Sequence, residues 1–289
     1  MALSGLSEAA KGHLAMLIFS ALVAGSFSFG SMIANQIDPV ALTAARFVVA
    51  GAVIGTAAAV GPGLRLSHFR APWRYLILGA VFGTYFVLMF EGLKTAPPIS
   101  TAAVFTLTPV LSGIFGWLLV RQTTTPRMGA ALAVGALGAL WVIFRADLSA
   151  VVTLDIGRGE AIYFVGCVAH AAYPALVRRF HRGEPVLAFT LGMMVAALGV
   201  LLAYGWPAIR ATDWAALPAQ VWLVMLYLAL FASTVTFLLL QFAALRLPSA
   251  KVMAYTYLTP SWVICWEAVL GHGLPRGLIL VGVALTMGA

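Results

Sequence analysis

Long apolar runs separated by short polar breaks recur along the whole chain. Ten such segments can be drawn, at approximately 13–33, 40–60, 74–93, 98–120, 127–144, 159–178, 186–204, 221–243, 250–270 and 275–289. A hydrocarbon core of ~30 Å takes ~20 residues of helix at ~1.5 Å rise each, and the segments fit that requirement. The pattern therefore predicts an all-α, polytopic membrane protein with ten transmembrane helices. The fifth segment is short, and the tenth stops at Ala289 with no polar tail, as a trimmed C-terminus would. The first run is followed by others of the same kind, so it reads as a span rather than a cleavable leader.

Composition excludes water as the main solvent. Only 9% of residues are charged and 62% are hydrophobic, whereas soluble domains carry roughly a quarter charged residues. A net charge of +8 in a soluble protein would suggest nucleic acid; in a membrane protein it reads as basic loops on one side, and no nucleic-acid partner is expected. With the N-terminus inside, the cytoplasmic segments hold eleven basic residues: Lys11, Arg65, Arg70, Arg74, Arg121, Arg127, Arg178, Arg179, Arg182, Arg246 and Lys251. The other side holds five, Lys94, Arg145, Arg158, Arg210 and Arg276, and Arg46 lies within a span. Asp38, Glu91, Asp147, Asp155 and Asp213 fall mostly outside. Both termini are expected in the cytoplasm. Cys167 and Cys265 each sit inside an apolar run without a CxxC or Cys/His cluster, so neither a disulfide framework nor a metal site is expected, and no cofactor is implied.

The chain repeats itself. Residues 97–109 read PPISTAAVFTLTP and residues 248–260 read PSAKVMAYTYLTP, aligned at a constant offset of 151. Pro97 meets Pro248, Ala103 meets Ala254, and Leu107-Thr108-Pro109 meets Leu258-Thr259-Pro260. Pro126-Arg127 meets Pro275-Arg276 after a two-residue gap, and Asp38-Pro39-Val40 resembles Glu184-Pro185-Val186. Two five-helix halves, 1–146 and 147–289, follow from this alignment. Because five is odd, the second half must enter the membrane from the opposite side, which makes an inverted repeat of the kind found in alternating-access carriers.

Two five-helix halves, each with a central L-T-P followed by a short loop and a Gly/Ala-rich helix, resemble the drug/metabolite transporter superfamily, and within it the EamA branch of ten-helix carriers. Asp38-Pro39 with Arg46, Leu107-Thr108-Pro109-Val110 and Leu258-Thr259-Pro260 carry the resemblance over nearly the whole chain. Where that family often has Gly-Glu after each L-T-P helix, this chain has Val120-Arg121 and Gly271-His272, so no role is carried over for that glutamate. The resemblance is nearest to bacterial amino-acid exporters, aromatic ones among them. It implies a multi-pass protein of the cell (inner) membrane, surrounded by lipid, that exports a small metabolite.

Polar residues inside the spans are the candidates for transport chemistry. Arg46 lies about six residues into helix 2, ~9 Å below its outer end. A guanidinium at mid-membrane costs at least ~2.5 kcal/mol, so it must find partners; substrate-carboxylate recognition, a gate, a structural ion pair and snorkelling all fit. Glu267, near the outer end of helix 9, suits a proton carrier, an ion-pair partner for Arg46, or a solvated helix-end carboxylate. His170 and Tyr173 are three apart in helix 6 and share a face; His170 fits either a pH-sensitive site or a neutral imidazole bonded to a neighbouring helix. Pro174, Pro109 and Pro260 are candidate kinks. Thr101, Phe105, Thr108 and Ser112 form one stripe of helix 4, and Tyr255, Thr259, Trp262 and Trp266 a similar one of helix 9, with Tyr257 corresponding to Thr106. Thr234, Phe237 and Gln241 share a face of helix 8, and Tyr85 of helix 3 completes the candidate set. Together these would line an apolar, aromatic cavity with a few hydroxyls and an amide. Helix packing and interfacial anchoring are the alternative roles for each stripe. Gly79-x-x-x-Gly83 reads as an internal packing seam rather than a dimer motif.

The function expected is proton- or gradient-coupled export of a small organic solute, with amino acids or similar amphiphilic metabolites foremost. The alternatives within transport are drugs, organic cations and nucleotide- or sugar-like solutes. An embedded enzyme needs clustered acids, histidines or a nucleophile pair at one depth, and the histidines at 13, 68, 170, 181 and 272 are scattered. A channel needs a polar filter or a charged ring, and none is legible.

Overall fold

A computed structural model describes residues 7–147, 149, 150, 156–275 and 277–288. Asp155, Arg276 and Ala289, which entered the sequence reading, lie outside the described residues. Among the described residues, eight helices are long and apolar enough to cross a membrane: α1 Glu8–Ile33, α2 Pro39–Val60, α3 Trp73–Leu93, α4 Pro98–Val120, α5 Pro126–Ile143, α6 Arg158–Phe180, α7 Val186–Ala211 and α8 Ala219–Ala244. Two further helical stretches follow. α9 runs as Ser249–Ala254, a 3-10 turn Tyr255–Leu258, and Thr259–Val269; α10 is Gly277–Gly288. Among the described residues all regular structure is helical.

The helix starts follow from local chemistry. Ser7, Asp38 and Thr125 each accept a backbone N–H of the helix they open, Asp38 from Val40 at 2.8 Å and Ala41 at 3.3 Å. Pro39 and Pro126 occupy the first helical position, where a missing N–H is harmless. α4 is interrupted between Phe105 and Thr108, and α9 at its 3-10 turn, so Pro109 and Pro260 each stand in the first turn of a new helical piece. Pro174 behaves otherwise: α6 runs unbroken through it.

The bundle is held by close approaches at glycine. A Cβ on Gly79 would stand 2.5 Å from the Ala197 nitrogen of α7, and one on Gly92 would stand 2.7 Å from the Gly159 carbonyl oxygen of α6. Gly138 of α5 meets Gly282 of α10 in the same way, and Trp141 Nε1 donates to the Leu278 carbonyl at 2.9 Å beside them. The principal neighbours are α3 with α6 and α7, α1 with α8 and α9, α4 with α6 and α9, α2 with α7 and α8, and α5 with α10.

One buried ion pair fixes the loop between α6 and α7. Arg74, at the start of α3, donates through Nη2 to Glu184 Oε1 at 2.8 Å and through Nη1 to the Phe180 carbonyl, while Glu184 Oε2 accepts the Arg182 N–H at 2.7 Å. Burial alone would raise the Glu184 carboxyl, but the Arg182 N–H and the Arg74 guanidinium outweigh it and hold the group below its ordinary range. A depressed carboxyl contributes stability that is fully present above its unfolded pKa, about 4.3, and is lost as pH falls through the folded value. We expect Glu184→Gln to lower the melting temperature in detergent at neutral pH by several degrees. That gap should narrow as the pH drops below about 4; a gap independent of pH would show that the carboxylate charge is not the stabilising element.

Candidate functional site

Rings from four helices converge at the centre of the bundle. α3 supplies Phe82, Tyr85 and Phe86, which lie at successive helical-face positions; α4 supplies Phe105, α6 supplies Tyr163, His170 and Tyr173, and α8 supplies Phe237. All are buried. The His170 ring is stacked on Tyr85, with centroids 4.2 Å apart and planes 22° apart, and it lies 5.3 Å from both Phe82 and Phe105. Phe82 also meets Tyr173 at 4.3 Å and, edge to face, Phe237 at 4.4 Å. Each such pair adds about 0.5–1.5 kcal/mol beyond its buried area, which makes the cluster stiff as well as apolar.

Polar atoms are threaded through these rings. Gln241 Nε2 of α8 donates to Tyr173 Oη at 2.9 Å, and Thr190 Oγ1 of α7 donates to Gln241 Oε1 at 2.8 Å. Tyr85 and Tyr163 share a hydroxyl contact of 3.1 Å. His170 is 1% exposed, and neither of its ring nitrogens has a hydrogen-bond partner. Each unsatisfied buried group costs about 1–3 kcal/mol, so an imidazole left this way among aromatic faces is a candidate for meeting a ligand rather than for bracing the fold.

Arg46 adjoins this cluster on one side. Its Nε donates to Ser233 Oγ of α8 at 2.9 Å, and its Nη2 donates to the carbonyls of Ala232 at 3.1 Å and Leu228 at 3.4 Å. The guanidinium carbon lies 4.0 Å from the Phe86 centroid. Glu267 is instead bound to His272 at 2.8 Å, so the ion pair between Arg46 and Glu267 that the sequence allowed is not formed. The reason is that α2 packs against α8, whose backbone carbonyls take the place of a carboxylate.

The remaining candidates are dispersed. Thr101 and Thr108 bond their own helix, to the carbonyls of Pro97 at 2.9 Å and Phe105 at 2.7 Å, and Thr108 also touches Thr256 at 3.2 Å. Thr259 and Ser112 are buried with unpartnered hydroxyls. Tyr257 does not join the rings: it packs over Gly135 of α5 and donates to the Leu132 carbonyl at 3.1 Å. Trp262 is 38% exposed, donates to Ser20 at 3.3 Å, and lines a lateral groove with Tyr227, Phe231 and Trp266. The helix-9 stripe assumed one continuous α-helix, but the 3-10 turn at Tyr255–Leu258 has ~3.0 residues per turn and changes the phase.

Sequence reasoning missed Phe82, Phe86, Tyr163 and Ser233. The i, i+3, i+4 spacing of Phe82, Tyr85 and Phe86 on α3 was the available signal. It also missed Glu160, 3% exposed, which accepts a hydrogen bond from Ser100 Oγ at 2.7 Å and links α6 to α4.

Hydrogen bonds close the bundle toward both of its ends. Near the start of α1, Glu8 pairs with Arg246 at 2.7 Å, His13 meets Tyr255 at 3.1 Å, and Arg178 donates to the Leu247 carbonyl at 2.8 Å. At the opposite end are the Ser100–Glu160 bond and a 3.2 Å bond from Asn35 to the Lys94 carbonyl.

The model of the EamA-like transporter family matches residues 10–144 and again residues 157–289. The chain is 27% identical over 287 residues to the aromatic amino acid exporter YddG of Ancylobacter novellus, covering 96% of this chain and 93% of that one. It is 25% identical over 252 residues to the uncharacterized transporter YyaM of Bacillus subtilis, covering 86% and 82%. A solved structure described only as a crystal structure of a protein superposes with a TM-score of 0.73 at 22% identity, covering 96% of this chain and 94% of that one. That likeness concerns the fold.

Proposed function

Because the chain belongs to the EamA-like transporter family of membrane transporters, we propose that it exports amino acids with aromatic or apolar side chains across the inner membrane by alternating access. The observation that carries this reading is the buried ring cluster around His170, with Tyr85, Phe105 and Tyr173 as its walls and Gln241 as its amide. A flat or apolar side chain would replace ring-to-ring contacts with contacts of the same kind. The orphan imidazole nitrogens would meet the ammonium group of the solute. Export, rather than uptake, rests on the relative named as an exporter.

In this reading α9 and α10 also cross the membrane, giving ten spans with both termini in the cytoplasm. The eleven-to-five distribution of basic residues supports that orientation. An inverted repeat of five-helix halves is supported by the neighbour relations: exchanging each helix for the one five places on turns α3–α6 into α8–α1 and α3–α7 into α8–α2, and leaves α2–α7, α4–α9 and α5–α10 as they are. Rocking the halves would open one set of end contacts while the other holds. Glu267 with His272, and Glu160, are buried acids that this reading offers as candidates for proton coupling.

The deciding experiment is counterflow. Purified protein in liposomes preloaded with unlabelled phenylalanine, tyrosine and tryptophan should transiently concentrate external labelled phenylalanine. A flat trace from well-folded protein, with accumulation in vesicles loaded with organic cations or sugars, would transfer the reading to those solutes. The topology has its own check. In a background lacking Cys167 and Cys265, a cysteine replacing Arg182 should react with a membrane-impermeant maleimide only in inverted vesicles; labelling in intact cells would reverse the orientation.

A further inference from the structure

α8 contains a π-helical segment, Leu230–Val235, at the depth where Arg46 reaches it. A π turn pairs each carbonyl one residue further along than an α turn does, and it leaves the ladder locally out of step. Here side chains fill the mismatch: Ser233 Oγ donates to the Leu228 carbonyl at 2.8 Å and Thr234 Oγ1 donates to the Ala229 carbonyl at 2.9 Å. Arg46 uses the same disturbance, taking Ser233 Oγ and the Ala232 and Leu228 carbonyls as its acceptors.

A fully buried guanidinium is thus held by neutral oxygens, and no carboxylate is within its hydrogen-bonding reach among the described residues. Its Nη1 has no partner at all. Such a cation gains more from a charged acceptor than from carbonyls, because charge-assisted bonds are the stronger ones and a bidentate carboxylate matches its fork. The Phe86 ring that carries the guanidinium lies 5.2 Å from Phe82 and 5.7 Å from Phe237, both members of the central cluster. The cation therefore lies one ring away from the proposed substrate position. Among the described residues, Arg74 is the other fully buried arginine, and it is already paired with Glu184.

The geometry points to Arg46 as the residue that binds the substrate carboxylate, with the α8 carbonyls acting as a placeholder that the substrate displaces. This assignment rests on the transport of amino acids proposed above. When a carboxylate takes the guanidinium, the Ala232 and Leu228 carbonyls are released to α8 itself, so binding and the conformation of α8 become one event. The chemistry required of the solute is then an apolar or aromatic body with a carboxylate at one end; an aromatic amine without the acid lacks the matching group.

Wild-type protein decides first, without any variant. In counterflow of labelled phenylalanine, unlabelled 3-phenylpropionate should compete at least tenfold more strongly than phenethylamine, and in detergent it should raise the melting temperature where phenethylamine does not. Equal or reversed competition overturns the assignment. Arg46→Lys and Arg46→Gln are then compared after size exclusion, using only the monodisperse fraction. Folded Arg46→Gln should lose at least tenfold in phenylalanine exchange and lose the preference for the acid, and Arg46→Lys should retain part of both. A purely structural arginine would lower yield but leave the acid preference of the folded fraction intact, and that result also overturns the assignment. The two proposals separate cleanly. Stabilisation by 3-phenylpropionate without any phenylalanine exchange would sink amino-acid export and keep the carboxylate site, whereas exchange without acid preference would do the reverse.

Discussion

Gly79→Ala is expected to remove most of the folded protein from a detergent extract, while Gly83→Ala, one helical turn along the same seam, leaves it near wild type. At position 79 the added methyl would stand 2.5 Å from the Ala197 nitrogen and 2.9 Å from its Cα, both backbone atoms of α7. Backbone cannot rotate out of the way as a side chain can, so α3 and α7 would have to separate along their contact. Overpacking of a tight core typically costs about 1–3 kcal/mol, and this contact lies at the steep end because both walls are helical backbone. Without a hydrophobic drive between helices in lipid, close backbone approach is a main source of their association. At Gly83 the nearest atoms are Leu201 side-chain carbons at 3.9 Å, an ordinary van der Waals distance. Size-exclusion profiles and melting curves of the two variants measure the difference. Similar behaviour of both would mean that α3 and α7 are not held by this approach.

Deleting Phe231 is expected to abolish transport even if the protein inserts. Phe231 lies within the π segment and is 48% exposed, so its side chain contributes little to the core. A π segment behaves as a one-residue insertion in an α-helix, so removing one residue lets α8 close into a continuous α-helix with Phe237 and Gln241 still facing the central cluster. The Leu228 and Ala232 carbonyls would return to the backbone ladder, and Arg46 would lose the acceptors it now uses. Phe231→Ala, which keeps the π segment, is the control and should retain most of the exchange. Wild-type exchange by the deletion protein would show that the π segment is irrelevant to function.

Much of this fold is written in hydropathy. Most ends of α1 to α8 fall within two residues of the apolar segments, because desolvating backbone and charges at a span end is costly enough to leave a sharp mark; α1 starts five residues earlier and α7 ends seven residues later than the segments drawn for them. The breaks at Thr106–Leu107 and at Tyr255–Leu258 were signalled by Pro109 and Pro260, since a proline nitrogen cannot extend the preceding turn. The site was half legible. His170, Tyr173 and Gln241 were placed by their spacing on two helices, and the structure brings them together with Phe105 and Tyr85. Which helix each face meets is a tertiary matter, and periodicity is silent on it. Hence Arg46 was offered Glu267 as a partner and found α8 carbonyls instead. A π segment has no compositional signature in Leu230–Val235, and the 3-10 turn that sends Tyr257 toward α5 was likewise hidden.

The two broken helices cross where they are broken. The first piece of α4 packs against the last piece of α9, the first piece of α9 packs against the last piece of α4, and Thr108 touches Thr256 at the crossing. Under the alternating access proposed above, such a junction would act as a shared fulcrum: a tilt of the lower arm of one helix would press on the upper arm of the other. The leverage of each half is then set by its counterpart, so a substitution that lengthens or stiffens one arm should be rescued by the matching change at the position 151 residues away. Paired suppressors found at that offset would be the genetic trace of the mechanism.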